Sequence, residues 1–310
     1  MTADGEGASR PSVRRVDERM GLTVDRVGLS ERTLVTYARD HVSVRTPSRP
    51  DFRDGNTLDL VAPPGPGDLD RWIARFGETV AILGARHVQI RWETPLPVDA
   101  PIAPPVPDPT LAAAVAERGM TLEAVTVLLL DQLTAVPPTG AELIRLAAPR
   151  TAEEPSSTVE RRWHATEVLE RYAEGDRPDD WRAEPTAFDR WADEVRRELA
   201  RAGRAQVWLA VRQGTPAGRV VVLHDRQGLG VVEDLVVHPV HRRRGLAREL
   251  THAAVTGFLA EQPAGARLGI CAAAGGPAER LYRQLGFRPH ATVWTARRPE
   301  RVRGDADPGR

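Results

Sequence analysis

Apolar residues concentrate in three consecutive segments in the second half of the chain. The segments cover residues 206–213, 218–225 and 229–239, are rich in valine, and are separated by the short stretches GTPA and RQG. Runs of β-branched residues bounded by tight turns are typical of an antiparallel meander. The pattern therefore predicts three adjacent strands, and a further short apolar segment at residues 141–149 predicts a strand before them.

Helical spacing follows the third segment. Four apolar side chains recur at intervals of four residues and form one stripe: Leu246, Leu250, Ala254 and Phe258. Three more elements are predicted after this helix: a buried strand at 266–274, a short helix at 277–287 that ends at Gly286, and a last strand at 291–298. Together with two or three helices between residues 151 and 203, this order predicts a mixed α/β domain.

The same order of elements occurs in the first half of the chain. Residues 113–130 repeat the helix, glycine and strand of residues 279–296. Residues 56–76 repeat the strand, turn and helix of residues 231–251. A repeat of about 170 residues indicates two copies of one domain in tandem, because solenoid repeats are far shorter.

Length, charge and cysteine content limit the classes of protein to which this chain can belong. The chain has 310 residues, no net charge at pH 7 and one cysteine. Two domains fit this length, and a neutral chain has no overall field to attract nucleic acid or anionic lipid. Cys271 lies in an apolar run and is expected to be a buried strand residue. No early segment is apolar enough for a signal peptide or membrane span, so we expect a cytoplasmic protein without nucleic-acid or membrane partners; the oligomeric state stays open.

The corner between the third strand and the following helix contains Arg242, Arg243, Arg244 and Gly245. The first amide groups of a helix lack internal partners, and the helix dipole adds partial positive charge there. Glycine allows a phosphate to approach the main chain, and guanidinium groups add charge-assisted hydrogen bonds. Taken alone, the corner fits either a solvated arginine-rich turn, which is the more common case, or a site for an anion such as a pyrophosphate.

Two motifs resemble those of the GCN5-related N-acetyltransferases (GNAT). The spacing Arg242-x-x-Gly245-x-Ala247 resembles the pyrophosphate loop of this superfamily, and PAERLYRQLGF resembles its second signature. The resemblance spans residues 140–298 and implies the acyl-CoA N-acyltransferase fold, with a mixed, mostly antiparallel central sheet flanked by helices. Acetyl-CoA is then the expected co-substrate, and no metal is expected.

The resemblance also assigns residues to the binding of acetyl-CoA. The backbone amides of residues 243–247, together with Arg242, are expected at the pyrophosphate; the residues are Arg242, Arg243, Arg244, Gly245, Leu246 and Ala247. The strand residues Leu235, Val236 and Val237 are expected along the pantetheine arm and the acetyl carbonyl. An asparagine often found seven residues before the family's tyrosine is Gly275 here, which puts one polar contact to the pantetheine arm in doubt.

Acetyl transfer to an amine requires a base for the ammonium proton and an acid for the leaving thiolate. Glu233 and Asp234 are candidate bases, directly or through water. Strand alternation places Glu233 with Leu235 and Val237 on one face and Asp234 on the other, and Glu233 is the favoured base. The resemblance implies that Tyr282 is the acid.

The acceptor is expected to be a primary amine, in particular that of a small molecule. The helical insert before the meander is expected to form the pocket wall, with candidate residues Glu153, Glu154, Glu160, Trp163, His164, Trp181 and Trp191. A drug-like amine and a protein N-terminus are also compatible with this composition. A non-catalytic acetyl-CoA sensor is the alternative function, whereas a neutral chain without aromatic residues among its clustered arginines disfavours nucleic-acid binding.

The predicted organisation comprises tails at 1–21 and 299–310, a degenerate copy at 22–136 and a catalytic copy at 140–298. In the first copy the basic corner becomes Pro63-Pro64-Gly65-Pro66-Gly67-Asp68, without an arginine. Val115 occupies the position of Tyr282. We therefore expect that the first copy supports the second, or forms part of its cleft, without transferring an acyl group itself.

Overall fold

The structure, a computed structural model, describes residues 20–148, 158–170 and 186–299. The first half contains three helices, α1 (Met20–Arg26), α2 (Leu69–Thr79) and α3 (Pro109–Glu117), and five strands, β1 (Leu34–Tyr37), β2 (His41–Arg45), β3 (Thr57–Leu60), β4 (Val88–Pro95) and β5 (Thr121–Leu130). The predicted tail at 1–21 ends inside α1, where Met20 and Gly21 are buried. The rest of that tail and residues 300–310 lie outside the described residues.

The second half contains β6 (Glu142–Arg145), α4 (Thr158–Glu170), α5 (Ala187–Arg201), β7 (Ala205–Arg212), β8 (Thr215–His224), β9 (Leu229–Val237), α6 (Leu246–Glu261), β10 (Arg267–Ala273), α7 (Pro277–Gln284) and β11 (Phe287–Arg298). The predicted meander, helices and last strand are confirmed. Among the described residues, no helix has the length and apolar character needed to span a bilayer.

All the described strands belong to one sheet, in the order β1-β2-β3-β4-β11-β5-β10-β9-β8-β7-β6. The pairs β3–β4 and β9–β10 are parallel, and each is connected through a helix, α2 or α6. The other neighbouring strands are antiparallel. The fold class predicted from the sequence, a mixed and mostly antiparallel sheet flanked by helices, is confirmed.

The two halves exchange their last strands. β5, which ends the first half, lies between β10 and β11, whereas β11, which ends the second half, lies between β4 and β5. The sheet therefore crosses the predicted boundary near residue 138. Trp294 and Ala296 of β11 are buried in the hydrophobic core of the first half, so neither core is built from its own segment of chain alone.

Two hydrophobic cores cover opposite faces of the second-half strands. α6 and α7 cover one face, where the predicted stripe of Leu246, Leu250, Ala254 and Phe258 is buried. α1, α4 and α5 contribute to the core on the other face, which includes Val24, Trp163 and Leu199. Because α1 belongs to the first half, this second core also joins the two halves.

A buried ionic cluster fixes α1 against the first-half sheet. The guanidinium of Arg91 donates to both carboxylate oxygens of Asp59, at 2.8 and 3.0 Å, and Arg26 donates to Asp59 at 2.6 Å. Arg91 also pairs with Asp25 of α1. Burial alone raises the pKa of Asp59, but Arg91 and Arg26 hold it below its ordinary value. The cluster places Asp25 at the end of α1 where it faces the second half.

Candidate active site

A cavity of about 450 Å³ lies between the two halves. The first half contributes α1 and the loop between β2 and β3, and the second half contributes α5, β9, β10 and α7. Its polar wall residues include Asp25, Ser30, Asp54, Arg196, Glu233, Asp234, Cys271 and Tyr282. The cavity therefore unites both catalytic candidates, Glu233 and Tyr282, with side chains of the first half.

A bulge in β9 changes the predicted direction of its side chains. Arg219 of β8 pairs with Val236 of β9, and Val221 of β8 pairs with Glu233 of β9. Two residues of β9, Asp234 and Leu235, therefore lie opposite one residue of β8, Val220. Asp234 has a φ of 52°, in the left-handed region that non-glycine residues rarely adopt. Regular alternation is lost at this point.

The sequence-based assignment of faces to Glu233 and Asp234 is therefore wrong. Both side chains line the cavity, on the side of the sheet that carries Val231 and Val236. Leu235 and Val237, which were expected beside Glu233, pack against the core on the other side. Strand alternation holds only while the backbone is regular, and the bulge reverses it after Glu233.

Glu233 is held largely in its protonated form at neutral pH. Burial, followed by the negative charges of Asp234 and Asp25, raises the pKa of Glu233 from its ordinary 4.5 to about 8. Its carboxylate lies against the backbone of the first half, because a Cβ placed on Gly28 would be 3.2 Å from Glu233 Oε1. A partly buried carboxyl with a pKa of about 8 suits proton exchange with an amine.

Asp234 is fixed by arginines of α5 and β8. Arg196 donates to Asp234 Oδ2 from Nε at 3.0 Å and from Nη2 at 2.7 Å, and Arg219 Nη2 lies 3.4 Å from the same oxygen. Burial raises the pKa of Asp234, but Arg196 and Arg219 hold it below its ordinary value. Asp234 thus supplies a negative charge that, after burial, raises the pKa of Glu233.

Tyr282 of α7 lies at the cavity and is 7% exposed. Burial, and then the neighbouring Cys271, raise the pKa of Tyr282 to about 12, so its hydroxyl carries a proton at neutral pH. Cys271 was expected in the core, but it is partly exposed and lines the cavity. Burial raises the pKa of the Cys271 thiol well above its ordinary value, which disfavours a nucleophilic role.

The strands β9 and β10 separate beside Glu233. They pair in parallel only over Leu229–Val232 of β9, whereas β10 continues along β5 as far as Ala273. The segment of β9 from Glu233 to Val237 has β8 on one side and an open edge on the other. Backbone amides on such an edge are available to a bound carbonyl group.

A second groove, of about 820 Å³, lies at the start of α6. Its lining includes Val237, Arg242, Arg243, Gly245, Leu246 and Ala247 from the predicted set, and also His241, Arg248, Pro277, Ala278, Arg280 and Leu281. Arginines are thus its charged lining residues, and Arg243 and Gly245 have φ values of 62° and 83°. Left-handed residues beside a helix start form a concave array of amide groups that favours an anion.

The groove retains hydrogen-bond donors for such an anion. The Nε atom of Arg248 is buried without a hydrogen-bond partner among the described residues. Arg242 Nε donates to the backbone oxygen of Val237 at 2.9 Å, which ties the loop to the end of β9. The segment Glu233–Val237 therefore runs from the cavity to the groove.

Three residues predicted at the cofactor occupy other surroundings. Val236 is 5% exposed and lies in the core on the cavity side of the sheet. Arg244 is exposed and is not among the residues that line the groove. Gly275 faces the proline-rich loop of the first half, since a Cβ there would be 2.7 Å from Pro104 Cδ. Binding by these residues stays a prediction.

The helical insert contributes less to the cavity than its composition suggested. Trp191 lines the cavity, but Trp163 is 1% exposed and donates from Nε1 to Ala147 O at 2.9 Å. Glu160 pairs with Arg197 at 2.7 Å, and His164 is on the exposed surface of α4. Three more candidates, Glu153, Glu154 and Trp181, lie outside the described residues.

Sequence reasoning allowed the first half to form part of the cleft but did not identify the residues involved. Asp25, Phe52 and Asp54 line the cavity together with Phe188 of α5. None of these residues belongs to a recognisable sequence motif. The only feature that could have indicated them was an aromatic residue, Phe52, close to an acidic residue, Asp54, in one loop. In the corner that repeats the basic one, Gly65 N donates to Asp68 Oδ2 at 3.0 Å, so the aspartate occupies an amide of its own loop.

Comparisons with known proteins agree with this geometry. Residues 166–287 match the Acetyltransferase (GNAT) family. A functionally unknown conserved protein from Staphylococcus epidermidis has a similar structure, with 13% identity, a TM-score of 0.57, and coverage of 88% of this chain and 96% of that chain. A GCN5-related N-acetyltransferase from Kribbella flavida has 18% identity, a TM-score of 0.56, and coverage of 90% and 94%. These two similarities show the fold.

A tandem GNAT protein from the clavulanic acid biosynthesis pathway has 22% identity, a TM-score of 0.49, and coverage of 92% of this chain and 89% of that chain. No curated protein matches the chain. The matched residues 166–287 contain Glu233, Tyr282 and the arginine-lined groove. Residues 166–287 therefore form a domain similar to the GNAT family of acetyltransferases, and this similarity indicates acyl transfer.

Proposed function

We propose that this protein transfers the acetyl group of acetyl-CoA to the primary amine of a small molecule. The observation that carries the proposal is the path from the arginine-lined groove, along the open edge of β9, to the cavity that holds Glu233 and Tyr282. The groove offers guanidinium and amide donors, which fit a pyrophosphate. The cavity is acidic and aromatic, which fits a cationic amine.

Both substrates bind together in the proposed mechanism. In its ionised form, Glu233 removes a proton from the ammonium, directly or through water, and the neutral nitrogen attacks the thioester carbonyl carbon. The amide hydrogen of Val237, on the open segment of β9, is suited to polarise that carbonyl. As the carbon–sulfur bond breaks, Tyr282 donates its proton to the thiolate. The amide nitrogen loses its second proton to solvent, which restores the proton of Tyr282, and Glu233 releases the first proton to solvent.

The two proton-transfer groups have suitable protonation states. Tyr282 is a proton donor at neutral pH because burial raises its pKa to about 12. Glu233, with a pKa of about 8, becomes a base as the pH rises towards the alkaline range. Groups whose pKa values lie near those of the atoms that they protonate or deprotonate are effective in general acid–base catalysis.

Calorimetry with acetyl-CoA, followed by thiol release with a panel of amines, tests the proposal. We expect one binding site per chain, because the first-half corner replaces arginines with prolines and Asp68. We also expect thiol release that depends on an added amine and is lost in Glu233→Gln. Binding without thiol release for any amine would favour a sensor, and two equal sites would contradict the inactive first copy.

A further inference from the structure

Resting on the proposed acetyl transfer, we propose that the first half of the chain selects the acceptor. The loop between β2 and β3 binds a second positively charged group of the acceptor through Asp54, while the amine to be acetylated lies at Glu233. The acceptor class is therefore a small diamine, with a hydrocarbon segment between its two cationic groups. This assigns substrate recognition to the half that lacks the acyl-transfer motifs.

Asp54 differs from the other carboxylates of the cavity in its partner. Asp25 forms an ion pair with Arg91, and Asp234 forms one with Arg196. Asp54 instead accepts a hydrogen bond at 3.0 Å from Nε2 of Gln89, a neutral amide that is 1% exposed. The amide orients the carboxylate without neutralising it, so its negative charge remains available to a ligand.

The loop that carries Asp54 is held by a buried side chain. Asn56 is 1% exposed, and its Oδ1 accepts from Thr46 N at 2.9 Å. Its Nδ2 donates to Arg49 O at 2.8 Å and to Phe52 O at 2.7 Å. Three backbone positions of the loop are thus tied to one asparagine, and a preorganised loop loses little entropy when it binds a ligand.

Aromatic rings line the cavity beside Asp54. The ring centroid of Phe52 lies 5.0 Å from that of Trp191 and 5.7 Å from that of Phe188. The three rings join the first-half loop to α5, and all three line the cavity. The guanidinium of Arg49 lies 5.5 Å from the ring centroids of Phe188 and Trp191. The rings therefore offer a packing surface for the hydrocarbon segment of a ligand, whereas the Asp54 carboxylate meets its charge.

Asp54 and Glu233 lie at different depths. Asp54 is exposed, whereas Glu233 is partly buried between β9 and the backbone of Gly28. Asp54 is nevertheless close enough for its charge to contribute to the raised pKa of Glu233. An acceptor with two amines can therefore reach both carboxylates, with one amine at the mouth of the cavity and the other at its floor.

The test compares each linear diamine with the monoamine of the same chain length, beginning with putrescine and butylamine. We expect the wild-type protein to have a higher kcat/KM for the diamine at one or more chain lengths. Asp54→Asn should lower kcat/KM for that diamine by about 5- to 10-fold and for the matched monoamine by less than about 2-fold. Asp54→Glu, which keeps the charge, should retain part of the preference.

Asp70→Asn is the matched control, because it removes a carboxylate from the first-half surface, where Asp70 pairs with Arg118. It should leave the ratio of diamine to monoamine kcat/KM unchanged. The inference would be overturned if kcat/KM were equal for diamines and matched monoamines and Asp54→Asn lowered both equally. That result would leave the proposed acetyl transfer standing. An absence of thiol release with every amine would overturn both proposals.

Discussion

Asp234 lies on the same side of the sheet as its neighbour Glu233, and its negative charge adds to the effect of burial in raising the pKa of Glu233. Adjacent residues of a regular strand point to opposite sides, so this arrangement depends on the bulge and on the left-handed backbone of Asp234. The two carboxyl groups have opposite pKa shifts because arginines reach only one of them closely. Their environments thus make Glu233 a group that gains and loses a proton and Asp234 a group that stays negatively charged.

Asp234→Asn should move the activity of the protein to lower pH. The substitution removes a negative charge that raises the pKa of Glu233 and leaves the positive charge of Arg196 in place. In a plot of kcat/KM against pH, we expect the acidic limb to move to lower pH by roughly one unit or more. Asp193→Asn is the control, since Asp193 also pairs with Arg196, at 2.6 Å, but does not line the cavity. An unchanged limb in Asp234→Asn would contradict the proposed coupling.

Glu233→Gln should increase stability at alkaline pH. The folded-state pKa of Glu233 is about 8, above its ordinary 4.5, so the folded state holds the proton more tightly than the unfolded state. The wild-type protein therefore loses stability as the pH rises between these values, and the glutamine variant does not. We expect equal Tm values near pH 4 and a Tm several degrees higher for the variant near pH 9. If the Tm of the wild-type protein and that of Glu233→Gln changed in parallel with pH, the raised pKa of Glu233 would be contradicted.

Gly28→Ala should displace the carboxylate of Glu233. The new methyl group would lie 3.2 Å from Glu233 Oε1 and 2.9 Å from Leu223 Cδ1, which is closer than carbon atoms normally approach. Positioning errors of this kind are costly in catalysis, and we expect kcat to fall by roughly 10-fold while acetyl-CoA affinity is kept. Gly77→Ala is the control, because a Cβ there meets no atom within 4 Å. Equal kcat values for the two variants would show that Glu233 has room to move.

Tyr282→Phe should reduce the chemical step and leave the fold intact. The ring of Tyr282 packs edge-on to that of Phe287, with centroids 6.3 Å apart, and phenylalanine preserves this contact. Loss of the proton donor should lower kcat by roughly 10²- to 10⁴-fold, with little change in acetyl-CoA affinity. Steady-state thiol release and calorimetry measure the two quantities. An effect on kcat below about 3-fold would make Tyr282 a packing residue only.

Gly245→Glu should abolish acetyl-CoA binding. Gly245 has a φ of 83°, and a side chain there is strained and also approaches Thr139 Cγ2 at 3.3 Å. The added carboxylate places negative charge in a groove whose charged lining residues are arginines. Calorimetry should show no binding, whereas Gly65→Glu at the corresponding corner of the first half should bind normally. Unchanged affinity in Gly245→Glu would place the anion site elsewhere.

The sequence predicted the elements that depend on local pattern. The stripe from Leu246 to Phe258 identified α6 and its buried face, and the glycine at 286 marked the end of α7. The basic corner at Gly245 was visible because its residues are adjacent along the chain. These features required only spacing and side-chain chemistry.

Other features could not be predicted because they depend on contacts between distant segments. Asp234 in the bulge is bound by Arg196, which is 38 residues away, and strand alternation, which uses only local sequence, predicted the wrong face for one carboxylate. Asp54 and Phe52 line the cavity where their loop contacts Phe188 and Trp191 of α5. Cys271 was assigned to the core because its neighbours are apolar, but the separation of β9 from β10 exposes it to the cavity.

The exchange of β5 and β11 also sets the order in which the protein can form during synthesis. Trp294 of β11 donates from Nε1 to Thr94 Oγ1 of β4 at 3.1 Å, across a separation of 200 residues. At ordinary ribosomal rates, β11 is made roughly 10 to 40 s after β4. Until then β4 has a free edge, of the kind that pairs readily with other chains. The middle of this sheet is therefore the last part to be completed, and the nascent first half depends on the final strand for its protection.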